Sequence, residues 1–223
     1  MSKHSVIPYV AGLILIFILM MPPSSVLAVE QAPNEKFGHQ DVPTRQLTKE
    51  HDLTLKVADA AAAVAAQLRS DERVPKQRLI DLHDFFFNFV DACHHGKEEQ
   101  YYFPVALIAE PGLESLIATL KLHHEIGKSL LSGVDRSIAL WDDSPKLARL
   151  EASDNMAAYA TLLRRHIDIE STQLMNKVEA ALSPEQQDVI RSGFHYIEAE
   201  VLGEGFHEKY HALALKILEQ SES

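Results

Sequence analysis

Two His-x-x-x-Glu pairs, His94 with Glu98 and His166 with Glu170, constrain this chain more than any other feature. Residues four apart on a helix lie on one face, so each pair presents an imidazole and a carboxylate in the same direction. The flanks are apolar at the same spacing. Val90 lies four residues before His94 and Phe87 seven before; Leu162 lies four before His166 and Tyr159 seven before; Leu174 follows Glu170 by four. Two further stretches each carry an inward histidine. His51 sits between Leu47 and Leu55, and His124 follows Leu120 by four and Ile117 by seven. A single His-x-x-x-Glu reads as a solvated helix face, and a single core histidine as a hydrogen-bonded packing residue. Their repetition on four apolar faces reverses that reading, because buried imidazoles and carboxylates are costly without a partner. The pattern predicts a metal site on the axis of a helical bundle.

The rest of the chain agrees with an all-α fold. Helix-favouring Ala, Leu, Glu, Lys and Gln dominate, and no stretch alternates as a strand would. Helical periodicity is expected over 46–69, 76–109, 113–141 and 145–182. Pro104 should kink the second helix or cut it short. Pro111-Gly112 is a turn, and Ser144-Pro145 and Ser183-Pro184 are cap-and-start signals. Four long helices with short links make an up-and-down four-helix bundle over 45–182. An additional C-terminal helical segment, 183–223, is interrupted at Gly203-Glu204-Gly205.

The start of the chain is of another kind. Lys3 and His4 precede an apolar run over 6–21, then Pro22-Pro23-Ser24-Ser25-Val26-Leu27-Ala28. This is the pattern of a secretory signal over 1–28, cut after Ala28, with a linker over 29–44. The rival is an uncleaved membrane anchor, which the short run interrupted by Pro8 disfavours. The expected location is therefore outside the cytoplasm, in the periplasm, with membrane attachment only if the segment stays uncleaved. The sole cysteine, Cys93, has no partner for an internal disulfide and reads as a small core residue. A net charge of −11 argues against nucleic acid as a partner.

Several histidines compete. His95 and Glu99 also form an i, i+4 pair, but His95 follows Asp91 and Asn88, which reads as a wetter face, so His94 and Glu98 are preferred. His123 rivals His124, being flanked by Leu116, Leu120 and Leu130, and helical flanks alone do not separate them. His207-x-x-x-His211 has ligand spacing but lies among charged residues, and a surface or supporting role is favoured over ligation. His83, three turns before His94, reads as a core-edge histidine that supports a ligand.

The segment Cys93-His94-His95-Gly96-Lys97-Glu98-Glu99-Gln100-Tyr101-Tyr102-Phe103-Pro104 resembles the signature of hemerythrin-like, HHE cation-binding domains. Glu50-His51 is similar to their first-helix Glu-His. His124-Glu125-Ile126-Gly127-Lys128 is similar to their third-helix motif, and His166-Ile167-Asp168-Ile169-Glu170 to their fourth. The resemblance spans about 47–175 and implies a non-heme centre of two iron ions in a four-helix bundle. Carried over, it implies His51, His94, Glu98, His124, His166 and Glu170 as ligands. The distance to Phe103-Pro104 favours Glu98 over Glu99, and the distance to Gly127 favours His124 over His123. Oxygen carriers of the family have two histidines four apart on the third helix, whereas Lys128 stands at the second position here. The fourth helix has Met175-Asn176 where the family repeats Phe-Pro.

The expected function is binding or sensing of a small oxidant, dioxygen, nitric oxide or peroxide, at the iron pair. The alternative is a diiron oxidoreductase that removes peroxide or nitric oxide, or an iron-donating repair protein. A zinc-holding structural bundle fits less well, because zinc prefers about four nitrogen or sulfur donors per ion. No redox partner can be read from the sequence.

Overall fold

The computed structural model describes residues 42–70 and 72–221, so the expected signal at 1–28 and residues 29–41 of the expected linker, 29–44, lie outside the described residues. The first long helix, α1 (Pro43–Arg69), begins inside the expected linker, because Pro43 at its first position has no N–H to satisfy. The second runs without a break as α2 (Lys76–Asp84), π1 (Phe85–His95), two α-helical residues, Gly96 and Lys97, π2 (Glu98–Tyr102) and α3 (Phe103–Ala109). A 3-10 turn, Pro111–Leu113, leads to α4 (Glu114–Ala139). The fourth is α5 (Pro145–Ile169), π3 (Glu170–Met175) and α6 (Asn176–Ala181). The extension is α7 (Pro184–Tyr196), π4 (Ile197–Val201) and α8 (Phe206–Glu219). No strand occurs among the described residues, and none of their helices is long and apolar enough to cross a membrane.

Paired contacts give the topology. Gln67 meets Arg78 and Glu50 meets Lys97, so α1 runs against the second helix. Lys76 meets Asp142 and His124 meets Glu99, so α4 runs against the second helix. Thr44 bonds to Glu179 at one end and Ser153 to the Ala65 carbonyl at the other, so α1 also runs against the fourth helix. This is the up-and-down bundle that the apolar periodicity predicts.

Two local features differ from expectation: Pro104, and Ser144, which starts α5 with no side-chain cap bond. Pro104 does not end its helix. It is the second residue of α3, one residue past π2, where i→i+5 bonding replaces the i→i+4 ladder that a proline disrupts, and the helix continues to Ala109. Ser183 does cap α7 fully: its Oγ accepts from the Gln186 N–H at 3.2 Å, and Gln186 Oε1 accepts from the Ser183 N–H at 2.9 Å. The break before α8 holds Gly203 at φ 95° and Gly205 at φ 78°, a left-handed conformation that glycine adopts without strain.

The core has two apolar plugs. One gathers Val57, Phe85, Phe86, Phe89, Leu131, Met156 and Tyr159, with Tyr210, Ala214 and Ile217 from α8. The other gathers Leu47, Tyr102, Phe103, Ile117, Leu120 and Leu174, with Ile190 and Phe194 from α7. Each fully buried large side chain contributes roughly 1.5–3 kcal/mol. Along every long helix the inward histidine falls between residues of the two plugs. His51 follows Leu47 and precedes Val57, and His124 follows Leu120 and precedes Leu131. The polar belt is therefore closed from both ends.

Candidate metal centre

The π-helical segments decide which side chains reach the axis. A π turn holds more residues than an α turn, so it shifts the phase of everything after it. Within π1, Phe87 leaves the face of His94 and is 51% exposed, while His94 and His95 both turn inward, 2% and 5% exposed. The wetter face expected for His95 is thus corrected. Glu98 opens π2 and Glu170 opens π3, and both are fully buried.

All six residues expected from the sequence come together, and His95 joins them. His51, His94, Glu98 and Glu170 form one group with ligand atoms within 4.8 Å of one another; His95, Glu98, His124 and His166 form a second. Glu98 belongs to both, with one oxygen in each. Its Oε1 lies 2.9 Å from His94 Nε2 and its Oε2 3.3 Å from His124 Nε2. Glu170 Oε2 likewise spans the groups, 3.3 Å from His51 Nε2 and 3.4 Å from His166 Nε2. The His95 ring stacks on His124 with centroids 3.8 Å apart. His123 is only partly buried and stays outside both groups. His83 stacks on Phe87 at the surface, and His211 is exposed.

Hydrogen bonds fix how the rings face. His94 Nδ1 donates to Glu50 Oε2 at 2.8 Å, and His124 Nδ1 to Glu99 Oε1 at 2.6 Å. His95 Nδ1 lies 3.4 Å from Asp91 Oδ1. A carboxylate can only accept, so each such pair puts a proton on Nδ1 and aims Nε2 at the axis. Glu99, expected as a rival ligand, instead orients His124.

The charges are strongly coupled. Burial opposes a charge on His51, but the adjoining carboxylates of Glu170 and Glu98 outweigh it and raise the ring to about 10. Burial likewise opposes His124, which Glu98 and Glu99 raise to about 9. Burial also works against the Glu98 carboxylate, yet His94, His124 and His51 hold it well below its usual range. Burial and the neighbouring His124 push His95 well below its ordinary value, which leaves it a neutral donor.

The residues fit a metal. His51 Nδ1 and Nε2, the Nε2 atoms of His94, His95, His124 and His166, and both oxygens of Glu98 and Glu170 are buried without an aligned hydrogen-bond partner. A metal ion would displace the ring protons of His51 and His124 and draw on the nitrogen and oxygen lone pairs that converge here. One unsatisfied buried group costs about 1–3 kcal/mol. So many together would rival the whole stability of a domain, about 5–15 kcal/mol. Imidazoles with carboxylates suit iron among the available metals.

A buried His/Glu cluster with this donor set, at the axis of an up-and-down helical bundle, defines a metal-binding bundle. The family model for the hemerythrin HHE cation binding domain matches residues 42–178. The chain belongs to that family, whose domains bind metal cations, typically iron. No curated protein and no solved structure matches it.

Sequence reasoning set His95 aside as a rival of His94 on a wetter face, and did not assign Asp91 as its support. The available signal was Asp91 four residues before it, and two adjacent histidines after a run of phenylalanines that no single α-helical face could bury.

Proposed function

We propose that this chain is a non-heme diiron protein that binds or senses a small oxidant such as dioxygen, nitric oxide or peroxide. One ion would be held by His51, His94 and Glu170, the other by His95, His124 and His166, with Glu98 between them. The observation that carries this reading is Glu98, which offers a different oxygen to each of two histidine groups. An iron pair supplies reversible binding or reduction of the oxidant by cycling between ferrous and ferric states. The chain's own contribution is to hold and shield it. Glu50 and Glu99 fix the rings of His94 and His124, and Phe86, Val90 and Leu120 exclude bulk water. His95 supplies the nitrogen missing at position 128, so the donor set matches a full complement drawn from a different helix.

Loading with iron and titrating with oxidant tests this. A stoichiometric, reversible optical change that His94→Ala and Glu170→Ala abolish is expected. An unchanged signal in those variants sinks the reading, and sustained loss of peroxide or nitric oxide under a reductant would favour the oxidoreductase alternative. The sequence at 1–28 supports export. A mature chain beginning at Val29 is expected from N-terminal sequencing, and one that retains Met1 argues for the anchor.

A further inference from the structure

Lys97 is a lysine with no exposed surface, one residue from the cluster's shared carboxylate. A buried ammonium is tolerated only when paired and hydrogen-bonded. Its Nζ donates to Glu50 Oε1 at 2.5 Å and to Glu198 Oε1 at 2.8 Å. Glu50 turns its other oxygen to His94 Nδ1 at 2.8 Å. Glu198 belongs to π4, in the extension, and also accepts from Gln46 Nε2 at 2.8 Å. A continuous polar chain therefore runs from a partly exposed carboxylate of the extension to the back of a ring in the metal group.

The extension is seated to hold this chain in place. The Phe194 ring of α7 lies 5.5 Å from Lys97 Nζ, and His207 of α8 places Nε2 3.6 Å from Glu50 Oε1. Gly193 is pressed so closely on the Tyr101 ring that a Cβ there would lie 2.1 Å from Cδ1. Glu50, Glu198 and His207 have the spacing of a cation site, but the Lys97 ammonium already bonds both carboxylates. The chain's role is thus electrostatic.

We propose that the C-terminal extension sets the electron density at the metal group through Glu198, Lys97 and Glu50, with Glu198 and Lys97 acting as positioning residues behind His94. This rests on the diiron reading above. Glu198 shares the charge of Lys97 and so frees Glu50 to polarise the His94 N–H, which makes Nε2 a better donor to a ferric ion. Without the Glu198 charge, Lys97 draws on Glu50 alone. His94 then donates less, and the ferric state is held less well.

The test is the reduction potential of the iron-loaded full chain, with iron content and the melting curve as fold controls. Glu198→Gln is expected to keep its fold and iron, and to weaken the ferric preference ~10-fold, an upward shift of ~59 mV for one electron. Glu200→Gln, an exposed carboxylate on the same segment, makes the same charge change and should leave the potential unmoved. If Glu198→Gln does not fold, Glu198→Asp decides, with a smaller upward shift expected. An iron-loaded wild type whose Glu198 variants match the Glu200 control overturns the coupling alone. A wild type that holds no iron overturns the diiron reading together with it.

Discussion

At the residue scale, His95 separates the account from a six-ligand site. It is buried, neutral and stacked on His124, whereas His123, one position before His124, stays outside both groups. His95→Ala is expected to lose the ion of the second group and keep that of the first, and His123→Ala to keep both, as read by iron per chain. Equal iron in both variants would remove His95 from the ligand set. The charges give a second prediction. In protein stripped by a chelator, His51 and His124 titrate near 10 and 9, above the ordinary 6.5. A raised histidine contributes stability fully below the unfolded value and loses it as pH climbs through the folded one. The stripped protein should therefore lose stability between about pH 7 and 10. Metal uptake at neutral pH must displace protons from both rings. Calorimetry in buffers of different ionisation heat would register that release, and heats independent of the buffer would contradict it. The gathering of the six expected residues was legible: His94 to Glu98 and His166 to Glu170 lie four apart, and His51 and His124 carry apolar flanks four residues away. His95 was only partly readable, from its adjacency to His94 and from Asp91, because its burial depends on where a π segment begins.

At the element scale, the long helices and their breaks were evident from periodicity and from Ser183-Pro184, Pro111-Gly112 and Gly203-Glu204-Gly205. The π segments were not, because a bulged helix and a regular one differ by a single residue per turn in a pattern with only a few apolar markers. Phe87 shows the consequence: counted at seven residues from His94 it belongs inside, and it lies outside. Close packing between elements was equally invisible. The α7 backbone meets the Tyr101 ring at Gly193, so Gly193→Ala must push the helix or the ring aside. Overpacking of this kind costs about 1–3 kcal/mol. Urea unfolding of Gly193→Ala should show an unfolding free energy lower by that amount, and an unchanged value would mean that the contact gives way freely.

At the scale of the whole molecule, two apolar plugs enclose a polar belt, and the extension contributes to both. The sequence reading made 183–223 an additional helical segment, and nothing in its own pattern reveals that Phe194 and Tyr210 enter the two plugs or that Glu198 reaches Lys97. Those contacts join residues about a hundred positions apart, which periodicity cannot register. The imidazoles and carboxylates of the belt suit a metal, and the central claim of the proposal is that two iron ions would be held there with Glu98 between them. The most direct measurement is metal identity and stoichiometry in the purified full chain, taken with an optical spectrum before and after reduction. The account expects two iron ions per chain, falling to none in Glu98→Ala, with a spectrum that changes on reduction. Zinc in place of iron, a single ion, or two ions that persist in Glu98→Ala would contradict it.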